Sequence, residues 1–255
     1  MPLVTTRSKD EPRQSRPVRV AEAIKNWVVE KGLKAGDRLP SEPEMIEQFA
    51  MSKGTIREAM RILEAQGLVR TRSGPGGGSF VHEVSKQRAR ALLGNYFYFK
   101  DITVADIYEI RCTLEPQLAA SLAGNLSDEV LLQLEENIAS YPEPAKSADE
   151  EREQHIASLR FHALLATQSD NKLLGFLIDF MTNMLADLTV YRKLYNPPNV
   201  ELWQKGRNYQ VQLVQALRDG NADAAHHIMA DHMATAQKLM LLQEAEMQKR
   251  FITAE

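Results

Sequence analysis

Residues 39–81 read LPSEPEMIEQFAMSKGTIREAMRILEAQGLVRTRSGPGGGSFV. Ser41 stands at an N-cap position with Glu44 three residues on, the reciprocal capping box, so a helix starts here and Met45, Ile46 and Phe49 supply its buried stripe. A short link through Met51 and Ser52 leads into a second periodic run, Thr55 to Gln66, with Ile56, Met60 and Leu63 inward and Gly67 as its stop. Leu68-Val69 and Phe80-Val81 then read as two short apolar strands joined by the glycine-rich RTRSGPGGGS. Working upstream, Val20, Ile24, Trp27, Val28 and Leu33 share one stripe of a further helix, after which Gly32 and Gly36-Asp37 turn the chain.

Helix, helix, helix, hairpin is the order of a winged helix-turn-helix, expected here over residues 18–84. If Ile56, Met60 and Leu63 face inward, Lys53, Thr55, Arg57 and Arg61 fall on or beside the opposite face near the helix start, where a recognition helix meets base edges and phosphates. Arg57 leads this set, since its planar fork can take guanine O6 and N7 together, a contact worth about 1 to 3 kcal/mol of discrimination. Lys53 and the free amides of the helix N-terminus suit a phosphate or a guanine. Arg70 and Arg72 begin a flexible wing suited to the minor groove or the backbone, and Ser41, Gly76 and Gly77 complete the expected DNA-contacting set. Any one of these cations could equally be an ordinary solvated surface residue; it is their arrangement around a three-helix pattern that points to DNA.

The whole chain has 255 residues and a formal net charge of -3, which excludes a uniformly basic nucleic-acid coat. The charge is divided, with 14 Lys/Arg against 11 Asp/Glu in residues 1–84, net +3, and net -6 over residues 85–255. Residues 1–17 read as a polar, disordered arm and 85–102 as a linker or short helix. From 103 to 248 almost everything is helix-forming, with breaks at Gly124-Asn125, Pro142 to Pro144, Asn196-Pro197-Pro198 and Gly220-Asn221. Six helices, and a seventh over residues 86–94, predict an antiparallel all-α bundle, so the fold is mainly α. Thr103, Ser127, Asp170 and Asn221 are the expected N-caps. One cysteine, Cys112, leaves no disulfide framework and no thiolate metal cluster. No run approaches about eighteen uninterrupted apolar residues, and the N-terminus lacks the apolar core of a signal peptide, so the expected location is the cytoplasm.

The stretch quoted above resembles the winged-helix domain of GntR-type bacterial transcription regulators, a match that covers residues 18 to 82. Two departures stand out: Pro43 and Lys53 occupy positions where the family usually has DNA-contacting arginines, and lysine lacks the bidentate fork. Base readout is therefore expected to lean on Arg57. RCTLE at 111–115, RFHALLATQSDN around His162 and ALRDGNADAAHHIMADHM near His232 together resemble the effector domain of the FadR subfamily, often called FCD. That resemblance implies a ligand cavity inside the bundle, frequently over a metal held by one Asp and three His. His162 and His232 match the ligand positions, but the Asp position is Ser158 and another His position is Gln210. A divalent metal such as zinc is thus left with an incomplete ligand set, and no tightly held ion is expected. A labile ion completed by the effector's own oxygens stays open. His226, His227 and Asp231 are expected on the surface, because they diverge from His232 around the helix.

Without a metal the same positions make a polar floor for an organic ligand. Arg111 is the expected carboxylate anchor, with Ser158, His162, Asn183, Tyr191, Arg207, Gln210 and His232 adding polar groups. For Arg111 the competing reading is an intrahelical pair with Glu115, and for the histidines a satisfied place in the core. The expected function is a sequence-specific regulator, a repressor by family resemblance, released from DNA by a small carboxylate-bearing metabolite. One winged helix reads few base pairs, so a homodimer on a short inverted repeat of double-stranded DNA is expected, and no membrane partner. Catalysis is disfavoured: there is no nucleophile elbow, no phosphate-binding loop before a helix and no HExxH. The alternative is a nucleic-acid-binding or adaptor protein without sequence preference or effector.

Overall fold

The computed structural model describes residues 14–252, with side chains to residue 245. Two compact units divide between Ala91 and Leu92. The first contains α1 (Arg16–Glu30), α2 (Glu42–Phe49), α3 (Lys53–Gln66), β1 (Val69–Arg72) and β2 (Gly78–Val81). Pro17 in the first turn of α1 suits a position whose amide has no intrahelical acceptor. The capping box at α2 forms as the spacing predicts, with the Ser41 amide and hydroxyl both donating to Glu44 Oε2 at 2.6 Å. α2 ends at Ala50 in the left-handed region, and Ser52 immediately caps α3 by accepting from the Thr55 amide at 3.3 Å. α3 therefore starts at Lys53, two residues before the expected start. Gly67, at φ +78°, takes the left-handed cap that ends α3.

Val20, Ile24, Leu39, Met45, Ile56 and Leu63 are buried together where α1 and α2 pack against α3. Each such side chain contributes about 1.5–3 kcal/mol by leaving water, which fixes the rotation of α3 and so decides which residues face out. β1 and β2 pair antiparallel from Val69↔Val81 to Arg72↔Gly78, and Arg38 bridges to Phe80 from the far side. This corrects one expectation: Arg70 and Arg72 belong to a paired strand, and only residues 73–77 form the wing turn. The expected arm over residues 1–17 lies outside the described residues up to residue 13, and α1 begins within its remainder.

The second unit is helical. α4 (Lys86–Tyr98) occupies most of the expected linker and contains the division between the units. α5 (Val104–Leu122), α6 (Asp128–Ala139), α7 (Ala148–Thr167), α8 (Lys172–Tyr191), α9 (Val200–Arg218) and α10 (Ala222–Ile252) follow. Thr103, Ser127 and Asn221 accept from amides of the following first turns as predicted. The cap of α8 is Asn171, not Asp170: its side-chain oxygen accepts from the amides of both Leu173 and Leu174 at 3.1 Å. α10 lies along α5 and α9, and α7 lies along α8, around a core that includes Tyr108, Leu118, Phe161, Leu165, Ile178 and Met233. By length and composition α8 could cross a membrane, with a mean hydropathy of 1.5 over its best window, which qualifies the sequence expectation. Here it packs on α7 and α5 as a wall of the bundle.

Candidate nucleic-acid interface and effector cavity

The start of α3 presents a compact charged group. Arg57 Nε donates to Glu42 Oε2 at 2.7 Å and Lys53 Nζ lies 3.4 Å from Glu42 Oε1, with both cations more than half exposed. The hydrogen bond from Arg57, ahead of the Lys53 contribution, holds the Glu42 carboxyl below its ordinary range. Arg61 pairs loosely with Glu58 at 3.2 Å. Thr55, half-buried, shares a hydrogen bond with the Ser52 hydroxyl, and Ser41 is engaged in its capping box, so both act first in fixing helix starts.

The wing supplies the second edge of this surface. Arg70 is exposed on β1, whereas the Arg72 guanidinium lies 4.9 Å from the centre of the Phe80 ring. Gly76 is exposed at the wing tip. At Gly77 an added Cβ would lie 2.6 Å from the Arg72 carbonyl and 2.8 Å from that of Gly74, so the turn admits only glycine there. Arg38 is a cation that sequence reasoning missed: Nη2 donates to the Gly77 carbonyl at 2.8 Å, which places its charge beside the wing. Nothing in helical periodicity reports such a strand-bridging residue.

Inside the bundle a cavity of about 50 Å³ lies among α5, α7, α9 and α10. On α5, Arg111 and Glu115 are four apart and each 1% exposed, with Arg111 Nε donating to Glu115 Oε1 at 2.5 Å. The other oxygen, Oε2, lies 2.5 Å from His162 Nδ1 on α7. Burial alone would raise the Glu115 carboxyl, but the Arg111 charge and then His162 outweigh it and hold the group at about 2. An ionised carboxylate only accepts, so His162 Nδ1 donates to it, and Nε2 is the ring's other polar atom. His232 on α10 meets that atom, Nε2 to Nε2, at 3.2 Å. Burial, then His162 and Arg111, push His232 well below its ordinary value, so it is neutral.

Gln210 on α9 is fully buried and accepts from the Tyr141 hydroxyl at 2.5 Å, while its amide donates to Ser158 Oγ at 3.1 Å. Arg207, His155, Gln154, Trp203 and Glu151 complete the polar part of the lining. Burial, and next Arg111, lower His155 to about 4, and burial lifts Tyr141 to about 12. Five predicted residues, Arg111, Ser158, His162, Arg207 and His232, line the cavity, and Gln210 joins them through Ser158.

Asn183 and Tyr191 are not among these residues and are corrected here. The Asn183 amide folds back onto the Asp179 carbonyl at 2.6 Å, and Tyr191, at the end of α8, is 84% exposed. Both readings of Arg111 hold in part: its charge is matched by Glu115, yet Nη2 has no partner and the side chain lines the cavity.

A tetrahedral metal does not fit these residues. The two imidazole Nε2 atoms converge, but Ser158 and Gln210 bond each other and Tyr141, and Glu115 lies at the opposite nitrogen of His162. Among the described residues no three of His, Cys, Asp and Glu group as metal ligands. His226, His227 and Asp231 are exposed on α10.

Comparison with known proteins matches both units. The model for bacterial regulatory proteins of the gntR family covers residues 17–81, and that for the FCD domain covers residues 106–235. The Glc operon transcriptional activator of Escherichia coli (strain K12) is 25% identical over 235 residues, 90% of both chains. The HTH-type transcriptional regulator LutR of Bacillus subtilis (strain 168) is 25% identical over 82% of this chain and 93% of its own. A putative L-lactate dehydrogenase operon regulatory protein of Escherichia coli (strain K12) is 28% identical, covering 84% of this chain and 82% of its own. A solved Streptococcus agalactiae GntR structure shares the fold, with a TM-score of 0.58 and 22% identity over 87% of this chain and 99% of that one.

Proposed function

Because the chain belongs to the GntR family of bacterial regulatory proteins and carries the FCD domain, we propose that it is a repressor whose operator affinity is set by a small carboxylate in the bundle cavity. The family and the relatives make it a transcriptional regulator, a non-enzymatic class. The observation that carries the effector reading is Arg111: a guanidinium 1% exposed, with Nη2 unpartnered, on the wall of a cavity. A buried donor without a partner costs free energy that a bound acceptor recovers. The name of the relative tied to an L-lactate dehydrogenase operon makes L-lactate a suitable first probe.

The DNA-reading group is Lys53, Thr55, Arg57 and Arg61 on α3, with Arg70, Arg72, Gly76 and Gly77 on the hairpin and Ser41 at the start of α2. In this proposal two copies bind a short inverted repeat in the cytoplasm, and the bound acid shifts the population competent for that repeat. Selecting duplexes from a random pool, then measuring anisotropy with and without L-lactate, tests it. A preferred duplex released by the acid is expected. Equal binding to scrambled duplex, or affinity indifferent to every short carboxylate offered, overturns it.

A further inference from the structure

Three buried polar atoms on residues lining the cavity have no hydrogen-bond partner: Arg111 Nη2, Arg207 Nε and Gln154 Oε1. Two are donors and one is an acceptor, because the Gln154 amide nitrogen already donates to the Glu143 carbonyl at 3.0 Å. Their charges differ in kind. Arg111 is neutralised by Glu115 at 2.5 Å, whereas Arg207 forms no ion pair among the described residues. The other acid in the lining, Glu151, accepts from the Asn199 amide at 3.2 Å and is not paired with Arg207. One uncompensated cation, one neutralised donor and one orphaned acceptor describe the complement of a particular ligand.

We infer that the effector is a short 2-hydroxy acid whose carboxylate is held by Arg207, and whose hydroxyl accepts from Arg111 Nη2 while donating to Gln154 Oε1. A hydroxyl both accepts and donates, so a single acid of this class can answer all three atoms. The cavity, about 50 Å³, is a few times the roughly 10–15 Å³ that one buried water needs, which limits the ligand to a short chain. This inference rests on the effector reading above and moves the carboxylate anchor from Arg111 to Arg207. It also makes the hydroxyl, through Gln154, the group that sets specificity.

The test is calorimetric titration of the full chain with L-lactate, pyruvate and propionate, which differ only at the second carbon. L-lactate is expected to bind at least about tenfold tighter than propionate, with pyruvate between them, because a site built to hydrogen-bond a hydroxyl rejects analogues that lack it. Gln154→Leu should bring lactate and pyruvate together. Arg207→Gln should weaken all three acids, and Arg207→Lys should restore part of the loss, which separates charge from misfolding. Propionate binding as tightly as lactate, or wild-type affinity in Arg207→Gln, overturns the assignment. If none of the three binds while a short carboxylate without a 2-hydroxyl does, the assignment falls and the effector reading stands; if no carboxylate binds, both fall.

Discussion

Replacing Glu115 by Gln removes the carboxylate that answers both Arg111 and His162 while keeping the side-chain volume. The expected loss follows from the carboxyl group itself, which sits at about 2 in the folded chain against an ordinary 4.5. That difference corresponds to about 3 kcal/mol of folding free energy at neutral pH. Breaking a buried pair by removing one partner independently predicts about 3–5 kcal/mol, because Arg111 is left charged in the core. A depressed carboxyl stabilises above its unfolded value, so this contribution is complete above pH 4.5 and fades as pH falls toward 2. Urea unfolding at pH 7 measures it, and the melting temperature of the bundle should drop by roughly 6–12 °C. The double variant Arg111→Met with Glu115→Leu should lose less than Glu115→Gln alone, since no uncompensated charge remains. A loss below about 1 kcal/mol for Glu115→Gln, or a double variant worse than the single one, would refute the paired-charge account.

Arg57→Ala should weaken binding to a selected operator by roughly ten- to a hundredfold, measured by anisotropy at fixed salt, and wild-type affinity would remove Arg57 from the reading set. Gly77→Ala should distort the wing turn, because its Cβ would meet the Arg72 carbonyl at 2.6 Å; faster proteolysis between residues 72 and 78 reports this, and unchanged cleavage contradicts it. Acid should destabilise the bundle early. Burial keeps His155 at about 4 and His232 lower than usual, so both stay neutral when folded but protonate below 6.5 when unfolded. Stability is then full above pH 6.5 and falls toward pH 4, by up to about 1.4 kcal/mol per pH unit for each histidine, and a flat urea midpoint from pH 7 to 5 would contradict this.

The DNA-reading unit was legible because its signals are local. The Ser41–Glu44 box, the Ile56/Met60/Leu63 stripe and Gly67 all act within a few residues, and each fixes a boundary or a face. Where the signal was non-local the sequence was silent: Arg38 earns its place by pairing with a strand 42 residues on. In the bundle, family spacing located His162, His232, Ser158 and Gln210, but the bridge from Glu115 to His162 spans 47 residues and showed only as an i,i+4 pair with Arg111. Gln154, His155 and Trp203 were missed because each is one polar or aromatic residue among many on its helix. Asn183 and Tyr191 were misplaced for a related reason: α8 is apolar over most of its circumference, so its few polar residues do not reveal that the helix lines none of the cavity.

If Lys53 and Arg57 read DNA as proposed, Glu42 gives that surface a kinetic property. Before any duplex arrives, its carboxylate already occupies Arg57 and Lys53, so a stray phosphate must displace an anion that is present at effectively high local concentration. Only a sequence offering acceptors on the base edges as well as the backbone compensates fully for that exchange. Under the proposed DNA reading, random duplex should therefore be held briefly, and a molecule that lets go quickly surveys more of a chromosome in a given time.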